Sequence, residues 1–482
     1  MSSSSAEHPH LPVLRFGQEY RSLQAKTLHD HRTGAVVAEV GQANAGLIRR
    51  DLKKMAAGVR ELRALSTEEL VRRCVQAGQL FLEADLPLGE GVIQSSADYR
   101  AMLGATGGLP LTLARANQKK VAGVLRELAT VLRGLTRALE PSVLDERLGS
   151  DDGVPVWFAP TARSLGVILP SNSPGVNALW LPALALKVPV LLKPGHGDPW
   201  TPLRLARALV AAGIPPAAIG LYPTDHEGAA AILEDCERAM LFGDERTTRP
   251  YAGRASIEIH GPGRSKVLIG ADEIDGWERH LDVLVASIAA NGGRSCVNAS
   301  CVVVPRRADE LAAALAARLS ALVPRAFDDP RAALAAFPDA GLAERIDAVI
   351  ESGLGQEGAR DVTAAVRGPR RVTLAGSTYL LPTLVRCTRS AHPLANTEYL
   401  FPFASVVELP EDEALDWMGD SLVVTAITRH PGLRERLLTS PRIGRLNLGP
   451  VPTSHVRWDQ PHEGNLFEFL HARRAVHRVE GW

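Results

Sequence analysis

Asn291-Gly292-Gly293-Arg294-Ser295-Cys296 sets one cysteine in a small, glycine-rich turn between an alanine-rich helix and the apolar run Cys301-Val302-Val303-Val304. Backbone N–H groups freed by such a turn can stabilise a thiolate or an oxyanion, and the strand that follows would hold the turn on rigid sheet. An isolated cysteine is more often a small buried hydrophobe than a nucleophile. The reading of Cys296 therefore depends on the chain around it.

Upstream of the turn, short apolar strands alternate with helices. Leu165-Gly166-Val167-Ile168-Leu169, Val188-Pro189-Val190-Leu191-Leu192, Ala239-Met240-Leu241-Phe242 and Val267-Leu268-Ile269 read as buried strands, and 202–212 as a helix closed by Gly213. This βαβ pattern predicts an α/β protein with a parallel sheet covered on both faces. Downstream the alternation resumes, with a strand over 301–305, a helix near 309–323, a loop-rich stretch over 325–375 and strands at 422–427 and 445–448. Gly261-Pro262-Gly263 breaks the chain between the two series.

The first third has a different texture. Leu47, Ile48, Leu52, Met55, Val59 and Leu62 share one helix face, and Ser66-Thr67-Glu68-Glu69 reads as a capping box that opens a second helix. Another long helix is expected over 116–139. Residues 1–45, polar and rich in serine and histidine, read as a flexible arm.

At 482 residues the chain exceeds one hydrophobic core. Its 54 basic and 54 acidic residues cancel, so no nucleic-acid surface is expected, and Arg473-Arg474 reads as a solvated face. The five cysteines are scattered without metal-ligand spacing, which predicts neither bound metal nor a disulfide framework. No signal-peptide pattern and no apolar run near the ~18 residues of a membrane span is present, so a cytoplasmic setting is expected.

Five segments, in register, resemble the aldehyde dehydrogenase superfamily: Leu169-Pro170-Ser171-Asn172-Ser173-Pro174, Leu191-Leu192-Lys193-Pro194, Leu241-Phe242-Gly243-Asp244, the Cys296 turn, and Thr397-Glu398-Tyr399-Leu400-Phe401-Pro402. The resemblance implies a two-lobed fold, each lobe a largely parallel sheet flanked by helices. A nucleotide-binding domain with a helical N-terminal part would span 46–262, a catalytic domain 263–450 and a C-terminal tail 451–482. An extension at 145–160 would serve assembly into a homodimer or homotetramer. Cys296 would be the nucleophile, Asn172 with the Cys296 N–H the oxyanion hole, Lys193 and Glu398 the ribose contacts of NAD or NADP, and Gly243 the point of approach to the pyrophosphate. The substrate would be a small aldehyde or acyl thioester.

Three departures place the chain on an outlying branch. His260 stands where hydrolytic members have a glutamate base, His196 where a ribose-binding glutamate is common, and Arg457-Trp458-Asp459-Gln460-Pro461-His462-Glu463-Gly464-Asn465-Leu466-Phe467 lacks the usual tunnel signature. Coenzyme A needs no base in the protein to take an acyl group, whereas water does. Transfer to coenzyme A is therefore the first expectation. Hydrolysis is the second, with His260 as base, because an imidazole of ordinary pKa near ~6.5 can activate water at neutral pH. A retired family member acting as a scaffold is the third.

Overall fold

Two seven-stranded sheets meet at the Gly261-Pro262-Gly263 break. The computed structural model of the chain describes residues 8–477 and 479; the Ser-rich start at 1–7 lies outside the described residues. The first sheet runs in the order Ile257–His260, Arg238–Phe242, Leu165–Ile168, Val190–Lys193, Ile219–Leu221, Val13–Arg15, Gln18–Tyr20. Its first five strands are parallel, and Val13–Arg15 closes on them antiparallel. Leu165, Val167, Val190, Leu191 and Leu192 are all fully buried, which is the demand of a parallel sheet covered on both faces.

The second sheet runs Ala359–Asp361, Thr383–Cys387, Phe403–Glu408, Ala299–Val304, Ser265–Ile269, Ser421–Ile427, Ile443–Leu448. Ala299–Val304 lies at its centre and is buried at every position. Val302 and Val304 pack with Leu311, Leu315 and Leu319 of the helix Ala308–Ser320. Cys301 and Val303 face the other way, toward Phe401, Phe403 and Leu394, as the period of two requires.

Several expectations need correction. Residues 10–41 are not a loose arm: His10–Leu11 pairs with Val36–Gly41, which pairs with Ala25–His29, while Val13–Arg15 joins the first sheet. Leu11, Val13, Leu14, Leu28, Ala38 and Val40 of that polar stretch reach the core. The helix through 47–62 is two helices, Ala45–Leu52 and Ala56–Arg63, separated where Lys54 and Met55 bond back to Asp51 and Leu52. The stretch 116–139 likewise divides into Leu111–Arg126 and Leu128–Leu135. At the helix Thr67–Glu83 the Ser66 side chain accepts from the Glu69 N–H at 3.1 Å, yet the Glu69 carboxylate turns outward to Arg72 and Arg73, so half of the capping box forms. Inside 325–375 lies the helix Ala340–Leu354, which has only Ala343, Ile350 and Gly353 buried and so shows little periodicity.

The strands Leu148–Asp151 and Val154–Pro160 form a hairpin to which His471–Arg474 adds a third strand. The C-terminal chain thereby returns to the first lobe. Among the described residues no helix is long and apolar enough to cross a membrane.

Candidate active site

The carboxyl ends of the first sheet's strands open onto a cleft of about 620 Å³ whose far wall is the second lobe. Ligands of open α/β sheets bind in this position. Asn172, His196, Gly243 and His260 line it from the first lobe, Cys296 and Glu398 from the second. The cleft thus gathers six of these seven residues singled out in the sequence, all but Lys193. Lys193 ends its strand beside the cleft rather than on its wall, half-buried, and burial together with nearby Lys26 pushes its pKa down.

The Cys296 loop takes backbone conformations that glycine, and here one asparagine, can adopt. Asn291, Gly292 and Gly293 have φ of 53°, 65° and 69°, and a Cβ on Gly293 would stand 2.3 Å from the Phe401 carbonyl carbon. Asn291 tolerates the left-handed region because its amide is fully used, donating to Ser173 Oγ at 3.1 Å and Ser295 Oγ at 3.0 Å and accepting from Asn117 Nδ2 at 2.6 Å. Beneath the loop, buried Arg294 donates to the Gly107 carbonyl at 2.6 Å and to the Ala336 carbonyl. Gly263 packs so closely that a Cβ there would fall 1.9 Å from the Cys296 carbonyl oxygen, which also accepts from Ser265 Oγ at 2.9 Å. Asn172 Nδ2 donates to the Arg294 carbonyl at 2.7 Å, bringing the candidate oxyanion donor alongside the thiol loop.

The electrostatics centre on a residue that the sequence reading did not single out. Glu463 arrives from the C-terminal segment with its side chain 6% exposed; Oε1 accepts from Cys296 Sγ at 3.1 Å and Oε2 from His260 Nδ1 at 2.9 Å. Burial alone would raise the Glu463 pKa. The hydrogen bond and charge of His260, the charge of His462 and the thiol outweigh it and hold the carboxyl down at about 2. Burial and the Glu463 and Glu398 carboxylates push the Cys296 pKa up, so the resting pair is a thiol donating to a carboxylate. The Phe242 ring stacks on His260 with centroids 4.4 Å apart and planes at 11°, fixing the imidazole. Next to Glu463, His462 accepts from Arg445 at 2.6 Å, and burial lowers its pKa to about 3. Gly464 turns the chain at φ 71°, and Asn465 caps the short helix Leu466–Leu470 that follows. Lys120 also faces this centre, its pKa lowered by burial against the pull of Cys296 and Glu463.

Gly243 gives its N–H to the His260 carbonyl at 3.2 Å, so that N–H is already used within the protein. Glu398 accepts from the Arg264 N–H at 2.6 Å, and burial raises its carboxyl to about 7. Glu463 escaped the sequence reading because it meets Cys296 across 167 residues of chain. The usable signal was a lone acid followed by glycine and a capping asparagine, in a segment already marked as a departure.

Known proteins agree with this architecture. The model of the aldehyde dehydrogenase family matches residues 21–426. An indole-3-acetaldehyde dehydrogenase solved with NAD+ superposes with a TM-score of 0.79 at 17% identity, covering 96% of each chain. The aldehyde dehydrogenase KauB from Pseudomonas aeruginosa gives 0.79 at 19% identity, again over 96% of each chain. HpcC from Thermus thermophilus gives 0.77 at 21% identity, over 98% of this chain and 94% of its own. With the family model spanning most of its length and the fold shared throughout, this chain belongs to the aldehyde dehydrogenase family.

Proposed function

We propose that the protein oxidises an aldehyde with NAD or NADP through a covalent thioester on Cys296. The observation that carries this reading is the Cys296 thiol on the cleft wall, with the Asn172 amide held 2.7 Å from the carbonyl of Arg294. Sulfur adds to the carbonyl carbon, and the Asn172 amide with the Cys296 N–H holds the resulting oxyanion, a contribution of about 3 kcal/mol per donor. A bound dinucleotide supplies the hydride acceptor. The cleft suits one: it lies at the carboxyl ends of the strands, Gly243 is on its wall, and Lys193 ends its strand beside it. Lys193 and Glu398 would hold the two riboses. A scaffold role would leave the intact arrangement of Cys296, Asn172 and the Asn291 amide network without purpose.

The test is formation of NADH or NADPH by the purified protein with a panel of free aldehydes, run beside consumption of the reduced cofactors with acyl-CoA thioesters. Activity with aldehydes and loss of it in Cys296→Ala is the expected result. Turnover that survives the substitution would reject the covalent reading.

A further inference from the structure

We propose that Glu463 is the general base of this site, taking a proton first from the Cys296 thiol and then from the water that releases the acyl group, with His260 as the residue that positions it. The proposal rests on the aldehyde oxidation argued above and adds the acyl acceptor.

Glu463 Oε1, 3.1 Å from Sγ, is the carboxylate oxygen in hydrogen-bond contact with the thiol. Glu398 is committed to the backbone of Arg264. Glu258 lies behind His260, with Oε1 3.9 Å from Nε2. His260 presents to this centre the nitrogen that is already used: its Nδ1 proton is donated to Glu463, since an ionised carboxylate can only accept, while Nε2 is buried behind it, 3.9 Å from Glu258 Oε1. The imidazole expected to activate water therefore orients the group that does so. Local backbone supports the arrangement. A Cβ on Gly464 would stand 2.0 Å from Glu258 Oε1, and Asn465 Nδ2 ties the segment to the Leu135 carbonyl at 3.0 Å.

The proton steps balance. As sulfur bonds to the aldehyde carbon, the carbonyl electron pair moves to oxygen and the thiol proton passes to Glu463 Oε1, from which it leaves to solvent. Once the thioester exists, water oxygen bonds to its carbonyl carbon while a water proton passes to Oε1. The C–S bond then breaks, and the departing sulfur retrieves that proton. Thioester plus water gives carboxylic acid plus thiol, with no further oxidant or reductant. Transfer to coenzyme A was expected because a carboxylate base was lacking at 260; with Glu463 beside the thiol that ground is gone.

The experiment is a burst measurement on the full-length protein, with hexanal and benzaldehyde as probes and NAD and NADP each supplied, with and without coenzyme A. Wild type should turn over steadily without coenzyme A. Glu463→Gln should release no more than one equivalent of reduced cofactor and then fall roughly 100-fold or more in steady state. An acyl adduct should build up on Cys296 by mass, more slowly than wild type acylates because the thiol proton has lost its acceptor as well, and added coenzyme A should discharge it. Steady hydrolysis by Glu463→Gln at the wild-type rate overturns the proposal, as does a wild type that stalls until coenzyme A is added. Wild type that yields no reduced cofactor, even as a burst, overturns the aldehyde reading itself. If Glu463→Gln does not fold, His260 supplies the second arm. His260→Asn keeps an N–H donor near the Nδ1 position and should stay within about 3-fold of wild type, while His260→Ala should lose roughly 10-fold. The groups facing Glu463 are His260, His462, Lys120, Arg445, Glu258 and the thiol itself. Losing the His260 donor lets the carboxyl pKa rise, so the acid limb of the Ala variant's rate profile should move to higher pH. Coincident profiles for wild type and His260→Ala would remove His260 from the mechanism, which a purely structural role predicts.

Discussion

The Cys296 loop and the Glu463 segment meet at one sulfur atom, yet they are specified differently. The loop carries its instructions locally: two glycines and an asparagine at positive φ, a strand buried at every position behind it, and close backbone approaches that exclude side chains. The Glu463 segment carries almost none. It lies between the strand Ile443–Leu448 and the short helix Leu466–Leu470, and is placed by contacts with Leu135, Glu258, His260 and Cys296, distant in sequence and drawn from both lobes. A nucleophile can be built from a local motif, whereas its partner depends on the closed fold.

Substitution of the thiol is the severest way to test that contrast. Cys296→Ala should lower turnover at least ~10⁴-fold while dinucleotide affinity stays within a few fold, measured by steady-state rate and fluorescence titration. Cys301→Ala should be mild, because that thiol is fully buried in the central strand and burial raises its pKa to about 11. The reverse ranking would refute the assignment.

Backbone substitutions then separate the two regions. Gly263→Ala drives a methyl into the Cys296 carbonyl and should cost about 3 kcal/mol of stability by overpacking and roughly 100-fold in rate by displacing the loop. Gly464→Ala meets the flexible end of Glu258 and a positive φ, so about 1 kcal/mol is expected, with slower acyl release and a preserved burst. Denaturant unfolding and burst kinetics on both variants read these values. Equal damage would mean that the two regions are equally constrained.

Lys193→Ala reaches beyond both regions to the cofactor side. It should weaken the dinucleotide roughly 10-fold in Kd with little change for the aldehyde, and weaken NADP more than NAD, because the neighbouring charges of Lys26 and Lys193 suit a 2′-phosphate. Unchanged affinity for both cofactors would take Lys193 out of the site.

The smallest effect near neutral pH is on stability. Burial holds His462 at about 3 and His471 at about 4, so both are neutral in the folded protein while the unfolded chain takes up protons below ~6.5. Stability should therefore fall as pH drops from there, approaching about 1.4 kcal/mol per pH unit for each histidine until its folded pKa is reached. Glu463, depressed to about 2, adds a loss in the same direction below ~4.3. Hydrogen exchange at decreasing pH should open the C-terminal segment before the Cys296 loop. Simultaneous opening would contradict the contrast.

What the residues disclosed in advance follows the same division. The parallel sheets were readable because Val190-Leu191-Leu192 and Val302-Val303-Val304 are apolar without interruption, and Cys296, Asn172, Gly243 and Glu398 because their segments resemble those of a known family. Strands such as His10–Leu11 and Ala25–His29 were not, since each has a single buried apolar residue whose burial depends on partners elsewhere. His260 was noticed for the glutamate it replaces. The carboxylate it holds became visible only when residues 260 and 463 were brought to 2.9 Å.

The 167 residues between Cys296 and Glu463 also set a timetable. At about 5–20 residues per second, a ribosome needs on the order of ten seconds or more to pass from one to the other. If Glu463 is the base proposed above, the thiol waits through that interval for the carboxylate that takes its proton. The last strand, His471–Arg474, then docks on Val154–Pro160 and closes the segment in place.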